Sequence, residues 1–339
     1  MEAVRDLLVV GAGPAGLAAA IAASRAGLDH EVVEKGVLVN AIYGYPHGMS
    51  FFTTAELLEL GGLPFVTPFP KPTREEALVY YRRVADAFSL RVALGERVLA
   101  IEPRDGGFDV LTASARPGRP AKEAVRRARS VVVATGYYDT PKKLGVPGED
   151  LAHVAHYFDE PHPYHGRRVI VVGGSNSAAE AALVLHRAGA RVTLVHRRAQ
   201  LSASIKYWVK PDIENRIAEG SVAARLESHV VEITPEAVRV EGPAGVEEIP
   251  ADAVFLLTGY VPDVSLLERA GVRVDPATRK AEHDPGTFET NVPGLYLAGS
   301  IAAGADSNRI FIENGRFHGE AIVRSILAKA ASPRAAAGA

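Results

Sequence analysis

Three glycines, Gly11, Gly13 and Gly16, stand at G-x-G-x-x-G spacing between the apolar run Leu7-Leu8-Val9-Val10 and an Ala-rich stretch. Strand, glycine turn and helix in that order are the context in which the spacing carries chemistry. Gly11 permits a tight turn, Gly13 lets the backbone approach a pyrophosphate, and Gly16 lets the helix pack closely on the strand. The helix N-terminus then offers unpaired N–H groups to the anion. Glu34 follows Gly11 by 23 positions at the end of the next apolar run, where a carboxylate can accept hydrogen bonds from both ribose hydroxyls and would repel a 2′-phosphate. The predicted ligand is FAD or NAD rather than NADP.

The same unit occurs twice. Residues 7–35 resemble residues 169–197 at a constant offset of 162, which aligns Gly11 with Gly173, Arg25-Ala26-Gly27 with Arg187-Ala188-Gly189, and Glu34 with His196. The second turn, Gly173-Gly174-Ser175-Asn176-Ser177-Ala178, is looser, with Ser175 and Ala178 in the places of the second and third glycines. Opposite Glu34 it carries His196-Arg197-Arg198, hydrogen-bond donors and fixed positive charge suited to a 2′-phosphate and hence to NADPH. Two dinucleotide sites of opposite character on one chain point to hydride transfer from nicotinamide to flavin, the work of an enzyme.

Those sites need domains to carry them, and 339 residues, 47% hydrophobic, suffice for two ordinary cores. A formal net charge of -2 predicts no broad attraction to nucleic acid or to an anionic membrane. The apolar run before Gly11 is too short for a signal peptide or a membrane span, so a cytoplasmic location is expected. With no cysteine, the chain has no disulfide, thiolate metal site, iron-sulfur ligand or cysteine nucleophile, and no metal is expected.

The apolar segments Ser130 to Gly136 and Ala253 to Gly259 both end in Thr-Gly and read as strands where the chain passes between domains. The Pro- and Gly-rich stretch from Tyr137 to Gly166 reads as a hinge-like connection. Near the C-terminus, Asn291 to Ser300 reads as turn, strand and small-residue end, followed by one helical pattern from about Arg309 to Lys329, whose N-terminus could stabilise charge on a reduced flavin. Residues 331–339 read as a disordered tail, and Arg116 to Arg129 as a basic surface loop and strand.

The segments GAGPAG, VVVATG, GGSNSAAE, HRR, LLTGYVPD and NVPGLYLAGS, in this order, resemble the thioredoxin-reductase branch of flavoproteins with two dinucleotide-binding domains. Within that branch NAIYGYP (40–46), GYYDTPKKLGVPGEDL (136–151), HYF (156–158), SASIKYW (202–208) and IFIENGRFHG (310–319) are similar to the bacillithiol disulfide reductases of the YpdA family. The resemblance covers nearly the whole chain. It implies an α/β fold of two Rossmann-like domains: an FAD domain over residues 1–145 and 261–330, with an NADPH domain over 146–260 inserted into it.

The candidate FAD residues are Gly11, Gly13, Pro14, Ala15, Gly16, Glu34, Lys35, Asn40, Ala134, Thr135, Gly136, Gly299, Ser300 and Ile301. Those for NADPH are Gly173, Gly174, Ser175, Asn176, Ser177, Ala178, His196, Arg197, Arg198 and Gly259. A homodimer is implied, with a small-molecule disulfide or a small electron-carrier protein as acceptor. Tyr43, Tyr45 and Met49 are expected to wall the flavin pocket.

Two departures from the family pattern bear on the reaction. The Cys-x-x-Cys of thioredoxin reductases falls at His156 and Asp159, and the single cysteine of the bacillithiol group falls at Ala15. Without a protein thiol the acceptor must meet the reduced flavin directly, with His156, Tyr157 or His318 as candidate proton donors. A disulfide reductase working without its cysteine, a ferredoxin or flavodoxin reductase, a quinone, dye or oxygen reductase, and a non-catalytic flavin-based NADPH sensor all remain open.

Overall fold

The computed structural model describes residues 4–114, 121–306 and 309–331, so the expected tail beyond Ala331 and part of the basic segment from Arg116 lie outside the described residues. The chain forms two compact units. The first is built from the chain up to Thr140, apart from Tyr45–His47, and again from Tyr260 onward; the second comprises Tyr45–His47 and Pro141–Gly259. The divisions fall after Thr140 and Gly259 rather than after residues 145 and 260.

The first unit opens with β1 (Arg5–Val10), α1 (Pro14–Arg25) and β2 (His30–Glu34), then α2 (Asn40–Tyr43) and α3 (Arg74–Ala87). β3 (Val92–Leu94), β4 (Glu96–Arg104), β5 (Gly107–Ser114) and β6 (Glu123–Val133) follow. Proline at its first turn starts α1, and its Gly, Ala, Leu and Ile residues are buried from Gly16 to Ile21 and at Ala23, as a helix pressed on a sheet requires. α3 begins in a capping box, in which the Thr73 hydroxyl accepts the Glu76 N–H and the Glu76 carboxylate accepts that of Thr73.

In the second unit β7 (Val154–Ala155), β8 (Arg168–Val172), α4 (Asn176–Arg187) and β9 (Arg191–Val195) lead to α5 (Lys210–Ala218) and β10 (Ala223–Arg225). A meander of β11 (His229–Ile233), β12 (Ala237–Gly242) and β13 (Gly245–Pro250) precedes β14 (Ala253–Leu256). Its parallel sheet runs β10-β9-β8-β14-β7, and β11-β12-β13 forms a separate antiparallel sheet. One core includes Ala178, Leu185, Leu194 and Ile213, and another includes Ile170, Val195, Val238 and Val254. Both faces of β8 are therefore buried, which explains its unbroken apolar run.

The chain returns to the first unit with α6 (Ser265–Arg269), β15 (Leu295–Leu297), α7 (Ile312–Gly315) and α8 (His318–Ala331). Its sheet runs β3-β2-β1-β6-β5-β4, and β15 pairs in parallel with the C-terminal end of β6. Among the described residues no helix is long and apolar enough to cross a membrane.

Two local expectations need correction. The single helix from Arg309 to Lys329 is two helices, broken at Arg316 and Phe317. Arg316 holds the break by donating to the carbonyls of Glu56 and Glu59 at 2.9 Å each, contacts about 260 residues away that periodicity cannot report. The stretch from Tyr137 to Gly166 is more than a hinge, because Glu149, 5% exposed, accepts the N–H groups of Leu144 at 2.8 Å and Gly145 at 2.6 Å.

Candidate functional site

The two glycine turns are built alike. α1 and α4 span Pro14–Arg25 and Asn176–Arg187, 162 positions apart at both ends. In each unit the first glycine lies against the end of a neighbouring parallel strand. A Cβ at Gly11 would sit 2.6 Å from the Ala134 carbonyl oxygen, and one at Gly173 would sit 2.5 Å from that of Leu257. The segments Ser130–Gly136 and Ala253–Gly259 therefore do more than connect: their strands lie beside the first strand of each unit and their ends back the glycine turns.

Neither helix has a side-chain cap or an acidic residue in its first turn. The first N–H groups of both are left for an outside acceptor, the arrangement that binds a phosphate. Gly13 has open space where a Cβ would stand, whereas a Cβ at Gly16 would lie 2.0 Å from the Gly11 carbonyl oxygen. Closeness is thus required at Gly16 and access at Gly13.

At the strand ends the turns diverge. Glu34 is buried and braces its own turn, one carboxylate oxygen accepting the Ala12 N–H at 2.9 Å and the other the Gly36 N–H at 2.8 Å. Burial raises its pKa, and these two hydrogen bonds oppose the rise. Each oxygen keeps a lone pair for a further donor.

His196 occupies the equivalent place under the second turn. Its ring fills the space a Cβ at Gly174 would need, 2.1 Å from that position, and its Nε2 is buried with no hydrogen-bond partner among the described residues. Burial lowers its pKa, and Arg198 and Arg197 lower it further, so positive charge resides on the arginines. Arg197 and Arg198 are exposed and form no ion pair among the described residues, whereas Arg168, Arg187, Arg225 and Arg239 of the same unit all do. An orphaned ring nitrogen beside two uncommitted guanidinium groups is a donor set suited to a phosphate.

Around the first turn, Lys35 pairs with Asp139 at 2.8 Å, and the Asn40 side chain folds back to accept the Val37 N–H at 3.3 Å. Thr135 is exposed, and a Cβ at Gly136 would come within 3.6 Å of the Ser300 hydroxyl. Gly299, at φ +73°, opposes Ala15, whose Cβ would be 2.7 Å from a Cβ there, and Ile301 is buried. Tyr43 is exposed, and its carbonyl is held by the buried Arg74 at 2.5 Å. Gly259 takes φ +92° with open space beside it.

The three candidate proton donors meet different fates. His156 places Nε2 3.6 Å from the carboxylate of Glu149, the same acid that ties down Leu144 and Gly145, and Tyr157 beside it is half-buried. His318 is 8% exposed, with its ring stacked 3.9 Å from Phe288 and its Nδ1 accepting the Gly299 N–H at 3.2 Å. Burial brings its pKa down to about 4, which leaves the ring neutral at pH 7.

His318 therefore makes stability depend on pH. The unfolded ring, with its ordinary pKa near ~6.5, takes up a proton where the folded ring does not. Its contribution is complete above that value and is lost as the pH falls towards about 4, by on the order of 3 kcal/mol. The midpoint of urea unfolding should drop between pH ~7.5 and ~4.5 more in the parent protein than in His318→Asn. Equal drops would show that His318 carries no such linkage.

Two further features of α4 arise only in the folded unit. The Asn176 side chain is engaged within its own unit: its Oδ1 accepts the Lys206 N–H at 3.0 Å and its Nδ2 donates to the Ser204 carbonyl at 3.2 Å, tying residues 204–206 to the second turn. Glu180, one turn further along α4, is half-buried, and burial pushes its carboxyl up to about 7 against the pull of Lys206. Its only sequence signal is an acid among small residues, Ala178-Ala179-Glu180-Ala181-Ala182.

With this geometry in hand, comparison with known proteins adds the following. Residues 8–299 match the family model described as pyridine nucleotide-disulphide oxidoreductase. The bacilliredoxin reductase Bdr of Bacillus subtilis (strain 168) is 43% identical over 320 residues, spanning 94% of this chain and 96% of the relative. The solved bacillithiol disulfide reductase Bdr (YpdA) from Bacillus cereus superposes with a TM-score of 0.93 at 43% identity, covering 96% of this chain and 100% of that one. A thioredoxin reductase of T. acidophilum shares the fold, with a TM-score of 0.75 at 23% identity over 98% of this chain and 100% of that one.

Proposed function

Since the chain belongs to the pyridine nucleotide-disulphide oxidoreductase family and is an oxidoreductase, we propose that it moves a hydride from NADPH to FAD and passes the electrons to a low-molecular-weight disulfide of the bacillithiol type. The first unit is the FAD unit and the second the NADPH unit. The observation that carries this reading is the contrast at equivalent positions, a buried carboxylate at Glu34 against His196 with Arg197 and Arg198. FAD, when bound, supplies the two-electron carrier between nicotinamide and acceptor.

The chain's own residues do the holding. The uncapped N-termini of α1 and α4 receive the pyrophosphates, Gly11 to Gly16 and Gly173 to Ala178 admit them closely, and Glu34 accepts from ribose hydroxyls. Arg197, Arg198 and His196 take the 2′-phosphate, and Lys35, Asn40, Ala134, Thr135, Gly136, Gly259, Ser300 and Ile301 line the approaches. With no cysteine, the disulfide is reduced without a mixed disulfide to the protein. The overall balance is NADPH, one proton and one disulfide giving NADP⁺ and two thiols. His156 and Tyr157 are the candidate donors for that proton, the imidazole lying 3.6 Å from the Glu149 carboxylate. The family resemblance implies a homodimer, which sedimentation would test.

Anaerobic titration separates the readings. Flavin absorbance should bleach completely with one NADPH per flavin, because the chain has no thiol pair to store two further electrons. Uptake of a second equivalent would contradict a single redox centre, and failure to bleach would refute hydride transfer altogether. Reoxidation by bacillithiol disulfide supports the proposal. Reoxidation by ferredoxin alone would favour the second reading, which the missing thiol also suits because one-electron acceptors need none.

A further inference from the structure

His318 acts through a peptide rather than through a proton. Its Nδ1 accepts the N–H of Gly299, a buried group at the start of the short helical turn Gly299–Ala303. Only a neutral ring with its proton on Nε2 can accept there, since a protonated ring would place N–H against N–H. The ring is fixed from the other side by Phe288, which lies 3.9 Å away and nearly parallel. Phe288 itself takes φ +61°, a left-handed conformation rare for an aromatic residue, with its carbonyl accepting the Leu297 N–H at 2.9 Å. His283 extends the stack, at 6.1 Å from the Phe288 ring, and its own Nδ1 lies 2.8 Å from the Ala281 carbonyl.

The contacts of its neighbours give this hydrogen bond its reach. Gly299 has no room for a side chain because Ala15, in the first glycine turn, would lie 2.7 Å from it. Gly319, next to His318, lies so close to α1 that a Cβ would be 2.5 Å from the Ala19 backbone. The pair His318-Gly319 therefore pins together the N-terminus of α8, the Gly299 peptide and the helix that opens on Gly13.

We propose that His318 is a positioning residue of the first dinucleotide site: its Nδ1 lone pair holds the Gly299 peptide against Ala15 and thereby sets the wall on which the FAD-binding turn closes. The functional half rests on the reading of this unit as the FAD unit. The positional half does not.

Two substitutions separate acceptor from packing. His318→Phe keeps a flat ring against Phe288 and removes the acceptor, whereas His318→Asn keeps an acceptor oxygen near the place of Nδ1. In flavin-free protein the Gly299 amide should exchange its hydrogen about tenfold faster or more in His318→Phe and return to within about threefold of the parent in His318→Asn. The dissociation constant for FAD, read by quenching of flavin fluorescence, should follow the same order. Unchanged amide exchange and FAD affinity in His318→Phe would overturn the proposal, as would an Asn variant that fails as badly as the Phe variant. Should neither variant fold, nitrogen NMR of labelled histidines in the parent decides: a proton on Nδ1 at neutral pH would overturn it. A parent that takes up no FAD refutes the FAD reading instead, while the exchange of Gly299 still reports on the hydrogen bond.

Discussion

Gly16→Ala is expected to give protein that purifies without flavin. The new methyl would lie 2.0 Å from the Gly11 carbonyl oxygen, 3.1 Å from its carbon and 3.4 Å from the Ala134 Cβ. Two of these atoms are backbone, so relief requires the glycine turn itself to open. An opened turn withdraws the N–H groups of α1 from the pyrophosphate, and FAD affinity should fall about 100-fold or more. The flavin's visible absorbance relative to that of the protein reads this directly. Gly106→Ala is the control: at φ +78° it also strains the backbone, by ~1 kcal/mol, but its Cβ meets open space and the protein should stay yellow. Full flavin content in Gly16→Ala would mean that the dinucleotide is not held at this turn.

The second large effect concerns the choice between nucleotides. Arg197→Ala combined with Arg198→Ala should weaken NADPH about 100-fold or more while changing NADH by no more than about threefold, read as kcat/KM for each. The two side chains make no ion pair among the described residues and are exposed, so their removal should leave folding untouched. What is lost is charge-assisted hydrogen bonding to the one group that distinguishes the two nucleotides. An equal loss for both would place recognition of the 2′-phosphate elsewhere. His196 is not expected to substitute, because burial keeps its ring neutral.

The contrast between His318 and Arg197 shows where sequence reasoning stops. Arg197 and Arg198 follow the end of β9 as Lys35 follows that of β2, and a place set by strand register can be read from the sequence alone. For His318 the deciding neighbours are Gly299, 19 positions earlier, and Phe288, 30 positions earlier, and no periodicity connects them. A histidine in a helical pattern reads equally as an acid or as packing until its burial is known. Glu180 is a similar case, an ordinary helix acid in the sequence and a carboxyl raised to about 7 once the unit has closed around it.

The amino-acid sequence by itself determined the repeated strand, turn and helix, the opposite chemistry of the two turns, and the absence of any thiol, because these depend on residue type and local spacing. Only the tertiary structure decided that Ala134 and Leu257 back the two glycine turns, that Asn176 holds a loop, that the last helical pattern breaks at Arg316, and that His318 accepts rather than donates. Each of these turns on which distant groups share a buried space and which lone pairs remain there. Ala15 joins the two levels: that no thiol stands there is read from the sequence, and that a Cβ at Gly299 would come within 2.7 Å of its methyl is read from packing.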